Sequence, residues 1–225
     1  MDTEITLSKR NRLFWLGRYV ERTYTATAKM MEFYDMLIDS EAEPDYKGYC
    51  AAMGIPDIYS NVNDFMERFL YDETAACSVI TYMNCVIGNG MVLRETLTTK
   101  TLSYLQMAEY ALRASQTSEG PCVELQRVLD NIMAFMGCFD NFTPAEEARN
   151  ITKNGGMVER ISTMLRMGES ENAINNELRK LLNRIYKSDM KTNRISLDLI
   201  AKRAVEDLII PDELILRSVE NLFEI

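Results

Sequence analysis

Residues 8–39 read SKRNRLFWLGRYVERTYTATAKMMEFYDMLID. Leu13, Leu16, Val20, Tyr24, Thr27, Met31, Tyr34 and Ile38 recur there at steps of three and four, the spacing that places side chains on one face of an α-helix. The stretch predicts one helix from near Ser8 to about Asp39, roughly 45 Å long at ~1.5 Å per residue. The rest of the chain has the same character. Only 10 Gly and 5 Pro stand among 225 residues, with 15 Met and many Leu, Ala, Glu, Lys and Arg, and β-branched alternation is nearly absent. The expected fold class is all-α: a single multi-helix bundle over residues 1–225, with no linker long or polar enough to divide it.

Beyond that helix, Pro44, Gly54-Ile55-Pro56 and the stretch from Ser60 to Asp64 punctuate a region of short helices. A long helical tract follows from Cys77 to about Ala114. It is weakened at Gly88-Asn89-Gly90 and again near Thr98-Thr99, where a bend or break is expected. Pro121 opens a helix ending near Gly137. Thr143-Pro144-Ala145-Glu146 reads as a helix start, with a Thr cap, Pro at the first helical position and Glu at the third. That helix stops at Gly168. The next covers Glu171 to Lys187, with Ile174, Leu178, Leu181, Leu182 and Ile185 on one face, and two short helices finish the chain, the last opened by Pro211.

The opening helix contains a phrase that the chain writes twice. Gly17-Arg18-Tyr19-Val20-Glu21-Arg22 and Gly155-Gly156-Met157-Val158-Glu159-Arg160 both fit Gly-x-x-Val-Glu-Arg, which points to two corresponding helices in an internal pseudo-repeat. Neighbouring helical residues point ~100° apart, so Glu21 does not pair with Arg22, nor Glu159 with Arg160. Two helices crossing about an approximate two-fold axis would let Glu21 meet Arg160 and Arg22 meet Glu159. Gly17 and Gly155, one turn earlier, would permit close approach of backbone or ligand. Arg94 and Glu95, on a middle helix, would add charges to the same centre, and Asn89 would satisfy leftover lone pairs.

The candidate cluster is therefore Arg18, Glu21, Arg22, Asn89, Arg94, Glu95, Glu159 and Arg160. Three readings stand beside one another. One is a buried polar network that fixes helix register. Another is a site in which Arg18, Arg22 and Arg160 hold a carboxylate or other anion while Glu21 or Glu159 manages an amine or a proton. The plainest is a set of solvated surface pairs. Trp15 reads as core or interface packing.

Composition narrows the chemistry. With 25 Lys+Arg against 34 Asp+Glu the net charge is −9, which repels phosphate backbones and anionic head groups, so neither nucleic acid nor a membrane is an expected partner. No run approaches the ~18 apolar residues of a bilayer span, and Asp2, Glu4, Lys9, Arg10 and Arg12 stand where a signal peptide would be apolar, which points to the cytoplasm. Cys50, Cys77, Cys85, Cys122 and Cys138 include no Cys-x-x-Cys pair and read as reduced, mostly buried thiols.

The absence of histidine removes Ser-His and Cys-His nucleophile pairs and the helix motifs of metalloproteases and di-iron bundles. Any acid or base here rests on Glu, Asp, Lys, Tyr or Cys. Glu41-Ala42-Glu43 reads as a loop charge run, Glu146-Glu147 as the charge bias of a helix N-terminus, and Asp72-Glu73 lacks companions at metal-ligand spacing. With neither a phosphate-binding nor a dinucleotide-binding glycine loop, no cofactor and no metal is expected.

Leu7-Ser8 followed by Phe14-Trp15-Leu16-Gly17-Arg18-Tyr19-Val20-Glu21-Arg22 resembles the opening signature of the bacterial alpha-E family, helical proteins with a Glu-Arg motif. Asn89 and Arg94-Glu95-Thr96-Leu97-Thr98 are similar to the family's middle segment, and Val158-Glu159-Arg160-Ile161 to its second Glu-Arg copy. The chain departs from the pattern in having Met91 where an Arg is common and Gly156-Met157 where Arg18-Tyr19 stand in the first copy, and it resembles a short member. The family has no settled activity. The resemblance implies the company of circularly permuted ATP-grasp ligase-like and transglutaminase-like proteins, in systems that make, attach or trim peptides or amides. On that analogy the chain is a non-catalytic or accessory helical partner. The alternative is an enzyme acting on a carboxylate or amide through the Glu-Arg cluster, and a homo-oligomeric scaffold would need an exposed apolar face, as on the final helix.

Overall fold

The structure, a computed structural model, describes residues 5–39, 43–206 and 208–225. Asp2, Glu4 and the Glu41-Ala42 part of the charge run lie outside them. Among the described residues there are ten helices and no strand, so the chain is all-α. No helix among them is long and apolar enough to cross a membrane.

The chain divides into two compact units, one of residues 1–18 and 145–225, the other of residues 19–144, and α1 (Leu7–Asp39) contributes to both. Its buried face is not the expected one along its whole length. Leu13, Leu16 and Val20 are buried, but further on Thr23, Ala26, Thr27, Met30 and Phe33 face inward, whereas Tyr24, Met31 and Tyr34 are half-buried and Ile38 is exposed. Large side chains drew the sequence reading to the wrong register. Thr23 can be buried because its hydroxyl donates to the Tyr19 carbonyl one turn back, at 2.8 Å.

The larger unit adds α2 (Tyr46–Met53), α3 (Val62–Tyr71), α4 (Val79–Val92), α5 (Thr99–Ser115) and α6 (Pro121–Phe142). Phe65 is the centre of its aromatic core, with Phe33, Tyr46, Tyr49, Tyr59 and Phe69 at ring-centroid distances of 5.0–6.3 Å. The α4–α5 break falls at residues 93–98, and Thr98 caps α5 by accepting from the Thr101 amide. Gly88-Asn89-Gly90, expected to weaken the helix, lies inside α4. A Cβ on Gly90 would stand 3.2 Å and 3.3 Å from side-chain carbons of Leu102 and Leu105, so packing against α5 sets this glycine's place. α6 likewise runs past Gly137, anchored on either side by the buried, stacked rings of Phe135 and Phe139.

The smaller unit holds the first part of α1 with α7 (Glu146–Arg166), α8 (Glu171–Ile185), α9 (Arg194–Ala204) and α10 (Asp212–Glu220). α7 packs on α8 and α10, and α9 on both of those. Thr143 does not cap α7. It ends α6, Ala145 stays extended (φ −72°, ψ 109°) and no side chain caps the new helix, so Pro144 precedes α7 instead of opening it. The other end follows its glycine. Gly168 takes φ 66°, its amide donates to Leu165 and that of Glu169 to Met164, a Schellman closure. Phe14 of α1 meets Phe223 at 5.6 Å.

Candidate functional site

α1 and α7 cross at the two glycines of the repeated phrase. A Cβ on Gly17 would fall 1.9 Å from the Thr152 carbonyl oxygen, and one on Gly155 would fall 2.0 Å from that of Phe14, where real Cβ atoms keep at least 3.0 Å. The backbones are therefore in direct contact. The contact is also reciprocal: each glycine meets the carbonyl of the residue three positions before the other. The two glycines are related across this crossing as by a local two-fold axis.

One turn beyond the crossing, Arg18 Nε donates to Glu159 Oε2 at 2.7 Å. The side chains are 12% and 5% exposed, and the Arg18 guanidinium lies 5.0 Å from the Trp15 ring centroid. Trp15 thus packs over the ion pair, its ring face toward the cation. Helix geometry explains the partnership. In the repeat frame Arg18 follows its glycine by one position and Glu159 follows its own by four, so a two-fold crossing brings them to the same side. The mirror-image pair would need an arginine at position 156, and glycine stands there. The chain carries the symmetric glycines but supplies only one half of the charge pattern.

The remaining candidates differ in burial. Glu21, Arg22 and Asn89 belong to the larger unit. Glu21 is 3% exposed. The Arg22 guanidinium lies 5.6 Å from the Tyr19 ring centroid and 5.3 Å from that of Tyr82 on α4. Asn89, two helical turns after Tyr82, is buried. Arg94 and Glu95 are exposed in the turn that follows α4, not on a helix as expected, because α4 ends at Val92. Arg160 is exposed on α7.

The family model of Alpha-E, a predicted alpha-helical domain with a conserved ER motif, matches residues 9–222. The chain belongs to the Alpha-E family. Nothing that matches was found among curated proteins or among solved structures. In this Alpha-E chain the Glu-Arg pair of each copy begins four positions after a helix-contact glycine.

Two buried polar groups of the smaller unit were not expected from the sequence. Asn150 and Asn154, four residues apart on α7, hold the turn after α8: Asn150 donates to the Lys187 carbonyl at 2.8 Å and accepts from Arg184 at 3.1 Å, and Asn154 donates to Ser188 Oγ at 3.0 Å. Two asparagines one turn apart among Ile151 and Val158 were the signal. Arg203 on α9 is buried and donates to Asn175 Oδ1 at 3.1 Å and to the Ile210 carbonyl. Its sequence neighbourhood carried no such signal.

The larger unit holds the perturbed acids. Burial pushes the Cys50 thiol up to about 11, helped by Asp57 and Cys77, and pushes Tyr59 up to about 12, with Cys77 and Cys50 adding to it. Thiols held neutral in this way are poor nucleophiles. Cys50 is buried, but the other four cysteines are half-buried, more open than expected. At the surface, two hydrogen bonds from Thr74 hold the Asp72 carboxyl below its ordinary value, and Glu73 pairs with Arg113 at 2.7 Å. No group of three or more potential metal ligands occurs among the described residues.

Proposed function

We propose that this Alpha-E chain is a non-catalytic accessory protein of the bacterial cytoplasm, working with an ATP-grasp ligase-like or transglutaminase-like partner in peptide or amide synthesis or modification. The observation that supports this is the closed state of the Arg18–Glu159 pair. A carboxylate 5% exposed, hydrogen-bonded to a guanidinium and set beside a backbone-to-backbone crossing, is built to hold two helices in register. A general base needs reach to a substrate proton, and this carboxylate is spent inside the fold.

The test is reconstitution. The chain is purified with the products of its neighbouring genes, and ATP-dependent amide formation is followed with and without it. Expected are a stable complex, faster ligation when the chain is present, and no turnover by the chain alone. The enzyme reading predicts the opposite pattern: turnover by the isolated chain, abolished by Glu21→Gln. Unchanged complex formation and activity in that variant would remove any functional role from Glu21.

A further inference from the structure

The larger unit holds the chain's excess of acid: residues 19–144 contain 18 Asp+Glu and 8 Lys+Arg. Part of that excess lies on one face. Asp35 and Asp39 stand one turn apart on α1, Glu67 on α3 and Glu119 in the turn before α6. All four are exposed, and none of their carboxylates makes an ion pair or hydrogen bond with a described residue. The three elements meet around two half-buried tyrosines. The Tyr71 hydroxyl of α3 is hydrogen-bonded at 2.9 Å to Ser115 Oγ, at the end of α5, and that hydroxyl donates to the Leu112 carbonyl at 2.7 Å. Burial raises Tyr34 of α1, with Cys122 and Glu67 adding to it, and raises Tyr71 to about 12, with Tyr34, Glu67 and Cys122 adding. Burial also raises Cys122 at the start of α6, with Asp35 adding. Asp35, Glu67 and Cys122 therefore border the same two rings. Ile38, one turn beyond Tyr34, is 72% exposed, and Val123, next to Cys122, 61%.

We propose that this face docks a lysine- and arginine-rich, partly apolar segment of a partner protein. Charge selects that occupant, because the unit's own cations are engaged elsewhere. Lys29 pairs with Glu32, Arg68 with Asp64 and Asp72, Arg113 with Glu73 and Glu109, and Arg127 with Glu124. Arg22 faces two tyrosine rings and Lys47 lies over Tyr46. Lys100 lies over Phe142, at the opposite end of α6 from Cys122 and about 30 Å along the helix. Arg94 precedes α5, whose other end carries Ser115. An anionic membrane would be repelled, and the larger unit of a second copy would bring the same sign of charge. A bound metal ion needs converging ligands, and no group of three or more occurs among the described residues. Acids spread over three packed elements, with apolar side chains between them, instead match a segment that carries several cations. The face is held by its own packing, so little ordering entropy remains to be lost on docking. It stands on its own charges and goes beyond the proposed function.

The experiment places a photo-crosslinking benzophenone amino acid at position 123, or at position 186 as an open control in the other unit (Tyr186 is 83% exposed), in the full chain in living cells. Mass spectrometry then maps the adduct. The expected result is a crosslink from 123 to another protein, in a segment where Lys and Arg outnumber Asp and Glu, at about ten times the yield from 186. It falls at least about fivefold with Asp35→Lys/Glu67→Lys at unchanged melting temperature, and is restored when the segment's own cations are changed to Glu. Asp189→Lys, at an exposed and unpaired acid of the smaller unit, leaves it as it was. Should the double variant melt earlier, Glu119→Lys, outside any helix, must lower the yield without that loss. A yield no higher than at 186, an adduct with lipid, with a second copy or with a segment lacking an excess of cations, or indifference to these reversals overturns the proposal.

Discussion

The two copies of Gly-x-x-Val-Glu-Arg share their glycines and differ in their charges. Gly17 and Gly155 make the same contact, each against the other helix's carbonyl. Around them the copies diverge: Arg18 has a glycine as its counterpart, and Arg22 lies against two tyrosines while Arg160 is exposed. Backbone contact imposes a strict requirement on both partners, since neither tolerates a Cβ. Charge pairing requires only that each buried charge be met, and one arginine can serve where symmetry would supply two. The repeat is thus strict where geometry is strict and loose where it is not.

The largest expected effect tests the symmetric half. Gly155→Ala places a Cβ against backbone, which no rotamer change relieves, and Gly17→Ala does the same from the other side. Each should lower unfolding free energy by about 5 kcal/mol or more, comparable with the whole stability of a small domain. Urea denaturation followed by Trp15 fluorescence reads the smaller unit directly. Similar losses for the two variants are expected; a mild effect from either one breaks the reciprocity. Gly137→Ala, where a Cβ meets nothing within 4 Å, should instead gain about 0.5 to 1 kcal/mol.

The asymmetric half comes next. Glu159→Gln and Arg18→Met each leave a buried group without its charge partner and should cost about 3 to 5 kcal/mol. The double variant Arg18→Met/Glu159→Leu should recover most of that loss, because two apolar side chains no longer pay for desolvation. A double variant as unstable as the singles would mean the pair contributes more than its own attraction.

Glycine also shows what the sequence made legible and what it hid. Gly168 could be read as a helix stop, since a local positive φ closes α7. Gly17 and Gly155 stood out because the phrase recurs. Gly90 and Gly137 looked like the same punctuation, yet both lie inside helices, because Leu102 and Leu105 pack on one and phenylalanines anchor the chain around the other. Periodicity likewise located α1 but not its buried face beyond Val20. Among the candidate residues, the repeated phrase named Arg18 and Glu159, while their partnership follows from the register of the crossing, which no single-chain pattern encodes. Arg203 was hidden for the same reason: its acceptors come from α8, the α9–α10 loop and the start of α10.

The contrast between the two units gives a smaller effect. All tyrosines but Tyr186 lie in the larger unit, where burial raises Tyr49, Tyr59 and Tyr71, the last two to about 12. A phenol whose folded value lies above its unfolded value of ~10 keeps its proton longer in the folded state. It contributes stability in full below pH ~10 and loses it as pH rises toward 12. Phenolate absorbance should therefore show late, cooperative ionisation of a buried group of tyrosines between pH 10 and 12, coincident with loss of helical circular dichroism. Simple titration near 10, with the helices intact, would contradict the burial.

The smallest difference expected separates the two arginines that end the phrase. Arg22 faces the rings of Tyr19 and Tyr82, and a cation between partly desolvated rings is stabilised by about 0.5 to 2 kcal/mol, together with the packing of its stem. Arg160 is exposed, where substitution usually shifts stability by less than about 0.5 kcal/mol. Arg22→Ala should accordingly lower the urea midpoint measurably and Arg160→Ala hardly at all. Arg22→Lys should recover only part of the loss, since a compact ammonium does not stack as a planar guanidinium does. Equal costs for Arg22→Ala and Arg160→Ala would mean that the motif's arginines are held by a common requirement, and that the asymmetry is confined to Arg18 and Gly156.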